Sequence, residues 1–162
     1  GYSLEDVEAK SIAQGAVEDA LAKVKDEFDY VFIDCPPSLG QLTVNALTAC
    51  DTVLVPMQCE YYALEGLSQL VSSIRMVKRS SNPKIDIEGI VLTMYDSRTN
   101  LTIQVAEEVK KYFGSKVFKT VIPRNVRLAE APSHGVPVTV YDRLSRGAAA
   151  YKAMAEEINN KL

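Results

Sequence analysis

The chain has 162 residues, 47% of them apolar, and a formal charge of −3. That length supports one buried core, and no apolar stretch approaches the roughly 20 residues that cross a bilayer. Cys35, Cys50 and Cys59 lack CxxC spacing and His134 is the single histidine, which excludes a multi-histidine metal cluster and leaves reduced thiols of a cytoplasmic protein as the expectation.

Residues 4–26 read as an amphipathic helix, weakened at Gly15. This end is acidic: residues 1–36 carry nine acidic and three basic side chains, against twelve and fifteen in the remainder. The run Asp29-Tyr30-Val31-Phe32-Ile33-Asp34 predicts a buried strand that ends on a carboxylate and breaks at Pro36 and Pro37. A short helix over 42–49 follows, then a strand from Thr52 to Pro56. A long helix over 62–79 turns Leu64, Leu67, Leu70, Val71, Ile74 and Val77 inward, with Arg75, Lys78 and Arg79 in its last turns, where cations suit the dipole.

Asn82-Pro83 stops that helix, with Lys84 just beyond. Strand Ile85–Met94, helix 102–113 ended by Gly114, and strand Val117–Ile122 come next. A loop crosses Pro123 to Pro137, a short extended piece covers Val138–Tyr141, and a helix over 145–162 closes the chain. Strands separated by helices of 10 to 18 residues predict an α/β fold with a parallel sheet flanked by helices. Ser133 precedes His134 without a GxSxG elbow, so a hydrolase triad is not expected.

Several strings occur in unbroken order: Asp34-Cys35-Pro36-Pro37-Ser38-Leu39-Gly40, Thr43-Val44-Asn45-Ala46-Leu47, Val53-Leu54-Val55-Pro56, Gln58-Cys59-Glu60-Tyr61-Tyr62-Ala63-Leu64-Glu65-Gly66, and Ile122-Pro123-Arg124-Asn125-Val126-Arg127-Leu128 with Glu130-Ala131-Pro132-Ser133. Together they resemble the ParA/Soj chromosome- and plasmid-partitioning ATPases, deviant P-loop proteins related to MinD. The resemblance spans roughly residues 28–158 and implies a P-loop NTPase-like fold of the SIMIBI class. Residues 1–27 match poorly and are set apart as an acidic helical segment, leaving 28–162 as a partial ATPase domain. A phosphate-binding loop requires G-x-x-x-x-G-K-[ST], and none of the eight glycines is followed by lysine. The expectation is therefore an N-terminally truncated chain, the C-terminal part of a partition ATPase, with little ATPase activity of its own.

The resemblance implies roles for individual residues. Asp34 would hold Mg²⁺ through water, and Pro36 with Pro37 would shape the switch loop beyond it. Glu60 would touch a ribose or a facing subunit. Thr93, Met94, Pro123 and Asn125 would build the adenine side, although many relatives carry Asn in place of Thr93. Arg98 and Arg127 match positions that contribute to non-specific DNA binding in Soj-like proteins, with Lys110, Lys111 and Lys116 as extensions of the patch. The implied whole protein binds ATP and Mg²⁺, forms a homodimer, coats the nucleoid and answers to a ParB-type partner. Two alternatives remain open here: a non-catalytic dimerisation module and a MinD-like positioning ATPase. Against the second, the terminus Ala155-Glu156-Glu157-Ile158-Asn159-Asn160-Lys161-Leu162 is acidic and polar, not the basic amphipathic helix of a membrane binder.

Overall fold

The computed structural model describes residues 16–36 and 40–161. Two compact units divide them: one takes the described residues among 1–53 and 68–86, the other those among 54–67 and 87–162.

In the first unit, helix α1 (Ala16–Leu21) packs against helix α2 (Gln41–Ala49). The upstream part of the expected helix, residues 4–15, lies outside the described residues. Residues 30–36 form no ladder, in contrast to the buried strand expected over 29–34. Phe28, Tyr30, Val31 and Phe32 are exposed, Phe32 at 74%. β-favouring side chains make a strand only where a neighbouring strand supplies a ladder and a face to pack on, and no described strand forms a ladder with this run. The backbone is still extended enough to stack the alternate rings of Tyr30 and Phe32, 6.4 Å apart.

The carbonyls at the end of α2 have no partner inside the helix. Asn82 supplies one: its Nδ2 donates to Leu47 O at 3.1 Å and to Cys50 O at 2.7 Å. Its Oδ1 accepts from the Lys84 amide, and Thr48 Oγ1 meets Ser81 Oγ at 3.0 Å. The Asn82-Pro83 turn therefore does more than stop the preceding helix. It ties the end of that helix to the end of α2.

Most of the sheet belongs to the second unit, while residues 52–53 and 68–86, including much of the helix that joins its strands, belong to the first. Strands β1 (Thr52–Gln58) and β2 (Asp86–Thr93) are joined through helix α3 (Ala63–Ser80), the crossover that parallel neighbours require. Helix α4 (Asn100–Phe113) leads to residues 117–123, which run beside β2 with parallel bridges Ile90–Val117 and Tyr95–Pro123. This third strand, expected to be continuous over Val117–Ile122, is bulged. The Phe118 amide donates to Ile90 O and the Ile122 amide to Leu92 O, so four residues on one side span two on the other. The amides of Lys119 and Thr120 are lifted from the ladder and donate instead to the Glu157 carboxylate, at 2.8 and 2.9 Å.

Three further helices close this unit: α5 (Val126–Glu130), α6 (Val138–Tyr141) and α7 (Arg146–Asn159). Val91, Phe118 and Ile122 form a buried cluster, packed by Leu54, Leu128, Ala150, Met154 and Ile158. Ala131, Val138 and Ala148 form a second one, which Leu128 also joins. Gly147 is bare where it meets Leu128, since a Cβ there would stand 2.7 Å from Leu128 Cγ. Residues Val138–Tyr141 are a helical turn, not the extended piece expected. The Pro137 carbonyl accepts the amides of Val140 and Tyr141, and burial of Val138 outweighs the β preference of the run.

Partial burial pushes the Glu157 carboxyl up, but the Lys119 and Thr120 amides, the Thr120 hydroxyl and Lys161 outweigh it and hold the group below the usual carboxylate range. A lowered folded pKa gives stability that is complete above the unfolded value of about 4.3 and is lost as pH falls through the folded value. Glu157→Gln is expected to cost about 1–2 kcal/mol at pH 7, discounted for its partial exposure. Urea unfolding at pH 7 and near pH 3 checks this, because the difference from wild type should shrink in acid. Gly89→Ala should cost about 1–3 kcal/mol by overpacking, since its Cβ would fall 2.0 Å from the fully buried ring of Phe118. Thermal melts with Phe118→Leu added should recover part of that loss.

Candidate functional site

Because β1, β2 and the 117–123 strand are parallel, their carboxyl ends arrive on one edge of the second unit. Open α/β sheets bind ligands outside that edge. Here the three ends are bonded to one another. The Tyr95 amide donates to Ile122 O at 3.0 Å, the Arg124 amide donates to Tyr95 O at 3.3 Å, and the Arg124 guanidinium lies 3.9 Å from Glu60. Glu60, Met94, Tyr95, Pro123, Arg124 and Asn125 are thereby gathered from three separate stretches of sequence.

Met94 leaves β2 with φ at +49°, the single non-glycine positive φ among the described residues. A side chain there costs about 1–2 kcal/mol, which the flanking bonds of Tyr95 must offset. The turn beyond it is built on Asp96. Its carboxylate accepts the Arg98 amide and is gripped by the Arg98 guanidinium, Nε to Oδ1 at 2.8 Å and Nη2 to Oδ2 at 2.7 Å. Those Arg98 bonds hold the Asp96 carboxyl well below the usual carboxylate range. Thr99 then caps α4 by accepting the Thr102 amide.

Asn125 caps α5, its Oδ1 accepting the Arg127 amide at 2.9 Å. That leaves its amide nitrogen as the group available to a ligand. Arg127 is held twice, by Glu130 at 2.8 Å and by Asp142 at 3.2 Å. Glu130 also accepts from the Tyr141 hydroxyl, and the His134 ring stacks on Tyr141 at 4.8 Å. The Arg127 bond comes first among the causes that lower the Glu130 carboxyl.

The expected residues thus fall into distinct places. Met94, Pro123, Asn125 and Glu60 share the strand-end edge, with Thr93 half-buried just behind it. Asp34 and Pro36 are exposed and belong to the first unit, as do exposed Arg75, Lys78, Arg79 and Lys84. Pro37 lies outside the described residues. On α4, Lys110 is exposed and Lys111 pairs with Glu108 at 3.9 Å. Lys116 donates to Ile87 O at 2.6 Å, away from the strand-end edge. Sequence reading gave Arg124 no role, because its ion pair with Glu60 joins residues 64 positions apart. It also gave no sign of the cleft of about 330 Å³ lined by Tyr61, Tyr62, Leu64, Glu65 and Val105. Among the described residues no group of three His, Cys, Asp or Glu side chains forms a metal cage, and no helix is long and apolar enough to cross a membrane.

Comparison with known proteins supplies the setting. A family model described as an AAA domain matches residues 3–87, beginning upstream of the boundary expected at residue 28. The chain is 64% identical over 139 residues to the sporulation initiation inhibitor protein Soj of Bacillus subtilis, covering 86% of this chain and 55% of that protein. It is 56% identical over 142 residues to the chromosome partitioning protein ParA of Myxococcus xanthus, covering 88% and 50%. The chain thus spans about half the length of the curated relatives it matches. Among solved structures, the cell division ATPase MinD of Pyrococcus furiosus shares the fold with a TM-score of 0.79 at 24% identity, over all of this chain and 64% of the other. Cobyrinic acid a,c-diamide synthase of Mycobacterium smegmatis, solved with an ATP analogue and magnesium, aligns with a TM-score of 0.73 at 39% identity, over 88% and 52%.

The left-handed backbone at Met94 makes a direct prediction. Met94→Val should destabilise by about 1–2 kcal/mol, because a β-branched residue tolerates positive φ poorly, while Met94→Asn should be near neutral. Chemical denaturation of the three proteins checks the order.

Proposed function

The chain belongs to the ParA/Soj family of partitioning ATPases, and on that premise we propose that the full-length protein is an ATP-dependent, DNA-positioning ATPase. It binds ATP with Mg²⁺, dimerises, coats DNA without reading sequence, and releases it when a ParB-type partner stimulates hydrolysis. The observation that carries the reading is the joining of three parallel strand ends by the Tyr95, Arg124 and Glu60 contacts, in a chain 64% identical to Soj.

The residues present fit part of a nucleotide. Met94 and Pro123 offer apolar surface at the strand-end edge and the Asn125 amide nitrogen offers a donor, which suit a purine face and edge. Glu60 is exposed, available to a ribose hydroxyl or to a facing subunit. In the first unit, Asp34 presents an exposed carboxylate whose oxygens bond no described residue. Mg²⁺ suits such a group, since it keeps several waters and needs only one or two carboxylates besides the phosphates. Pro36 restricts the backbone just beyond, where a switch loop would begin. Bound Mg²⁺ would neutralise charge developing on the phosphate oxygens. Asp34 would orient a metal-bound water; the strand-end edge would fix the base. No residue of these 162 supplies the glycine-rich, lysine-bearing cradle for the phosphates.

Two measurements test this. In the full-length protein, Asp34→Ala should lower ATP turnover by about 100-fold or more, as loss of one electrostatic group at a reacting centre does. Unchanged turnover would remove Asp34 from the site. The 162-residue chain alone should bind ATP no tighter than roughly millimolar, since three or four charge-assisted hydrogen bonds to phosphate are absent. Calorimetry giving a micromolar dissociation constant would contradict the assignment of the phosphates to residues outside this chain.

A further inference from the structure

Beyond Glu60 the chain opens a cleft of about 330 Å³, lined by Tyr61, Tyr62, Leu64, Glu65 and Val105. All five belong to the second unit, and the nucleotide reading makes no use of them. Both tyrosines are exposed, at 73% and 77%, and their rings brace each other edge to face at 5.2 Å. Half-buried Leu64 and buried Val105 of α4 add apolar lining. Glu65 is exposed, and no described residue pairs with its carboxylate.

The next residue, Gly66, is an independent observation. It lies in the first turns of α3, where glycine weakens a helix relative to alanine. Nothing stands within 4 Å of the place its Cβ would take, and its φ is not left-handed. No turn or close packing among the described residues therefore requires a glycine there. A bare position on an exposed helix face does permit the close approach of another backbone.

We propose that this cleft docks a short cationic segment of a partner protein. An apolar side chain of that segment seats against Tyr61, Tyr62, Leu64 and Val105. Its backbone crosses Gly66, and a lysine or arginine pairs with Glu65. The volume suits one or two side chains of an extended or helical peptide, not the face of a folded domain. Tyrosine is favoured as an anchor in such contacts because it brings a large apolar area with few rotatable bonds. Charge selects the partner. Residues 1–36 of this chain carry nine acidic and three basic side chains, so they fit a cleft lined by Glu65 badly. A second copy docked symmetrically on the cleft would set Glu65 close to its own counterpart. The inference goes beyond the nucleotide and DNA reading and depends on neither.

The test is fluorescence polarisation on the full-length protein without nucleotide. The probes are a short labelled peptide of leucine, lysine and glycine and its twin with glutamate in place of lysine. The lysine peptide should bind at least about tenfold more tightly than the glutamate twin. Tyr62→Ala should weaken lysine-peptide binding by about tenfold, as loss of an aromatic anchor does. Glu65→Lys should reverse the preference between the two peptides, whereas Glu107→Gln, an exposed acid outside the cleft, should leave it unchanged. Gly66→Gln should abolish binding while melting at or above the wild-type temperature, a combination that structural damage would not produce. Wild-type protein that binds neither peptide, or both equally, would overturn the proposal. So would a preference unchanged by Glu65→Lys. Loss of ATP-dependent dimerisation in Gly66→Gln, with peptide binding intact, would assign the cleft to a second copy and also overturn it.

Discussion

The bond that the candidate site most depends on is the one between the Glu157 carboxylate and the amides of Lys119 and Thr120. The third strand is too long for the stretch of β2 it accompanies. Two extra residues must leave the ladder, and their amides need an acceptor. With Glu157 supplying it from α7, the strand rejoins β2 at Ile122, and Pro123 falls beside Tyr95. The same helix brings Met154 and Ile158 onto Phe118 and Ile122, so the polar clamp and the apolar contact reinforce each other. A charged side chain far along the chain thus sets the geometry of a strand end. That strand end carries Pro123, Arg124 and Asn125.

Much of the fold was legible in the sequence because its signals are local. The inward positions of α3 follow the 3.6-residue period, with Leu67, Ile74 and Val77 all buried as expected. Thr99, Asn125 and Ser145 cap the helices that follow them, each by the amide bond its side chain is suited to make. Failures occurred where a segment's state is decided by what lies next to it. The Asp29–Asp34 run has every strand propensity, but it forms no ladder with a described strand. The Val138–Tyr141 run has the same propensities and is helical because Pro137 and a buried Val138 dictate otherwise. Neither outcome is contained in the residues themselves.

The candidate site was legible as a set of strand ends and illegible as a set of contacts. Strings ending in Met94, Pro123 and Asn125 announced the edge of a parallel sheet. They did not announce that Asn125 spends its oxygen on a helix cap, or that Arg124 reaches Glu60. For the arginines, sequence position did not reveal the partners: Arg98 meets Asp96, and Arg127 meets Glu130 and Asp142, in solvent-exposed ion pairs. Pairing depends on side-chain geometry that spacing does not fix.

The central claim is that the joined carboxyl ends of these strands form the base side of a nucleotide site. Amide hydrogen exchange on the full-length protein, with and without Mg²⁺ and ATP, tests it most directly. Nucleotide should slow exchange at Tyr95 through Thr99 and at Arg124 through Arg127. Unchanged exchange at those amides, with protection appearing instead at the opposite end of the strands around Ile87 and Lys116, would contradict it.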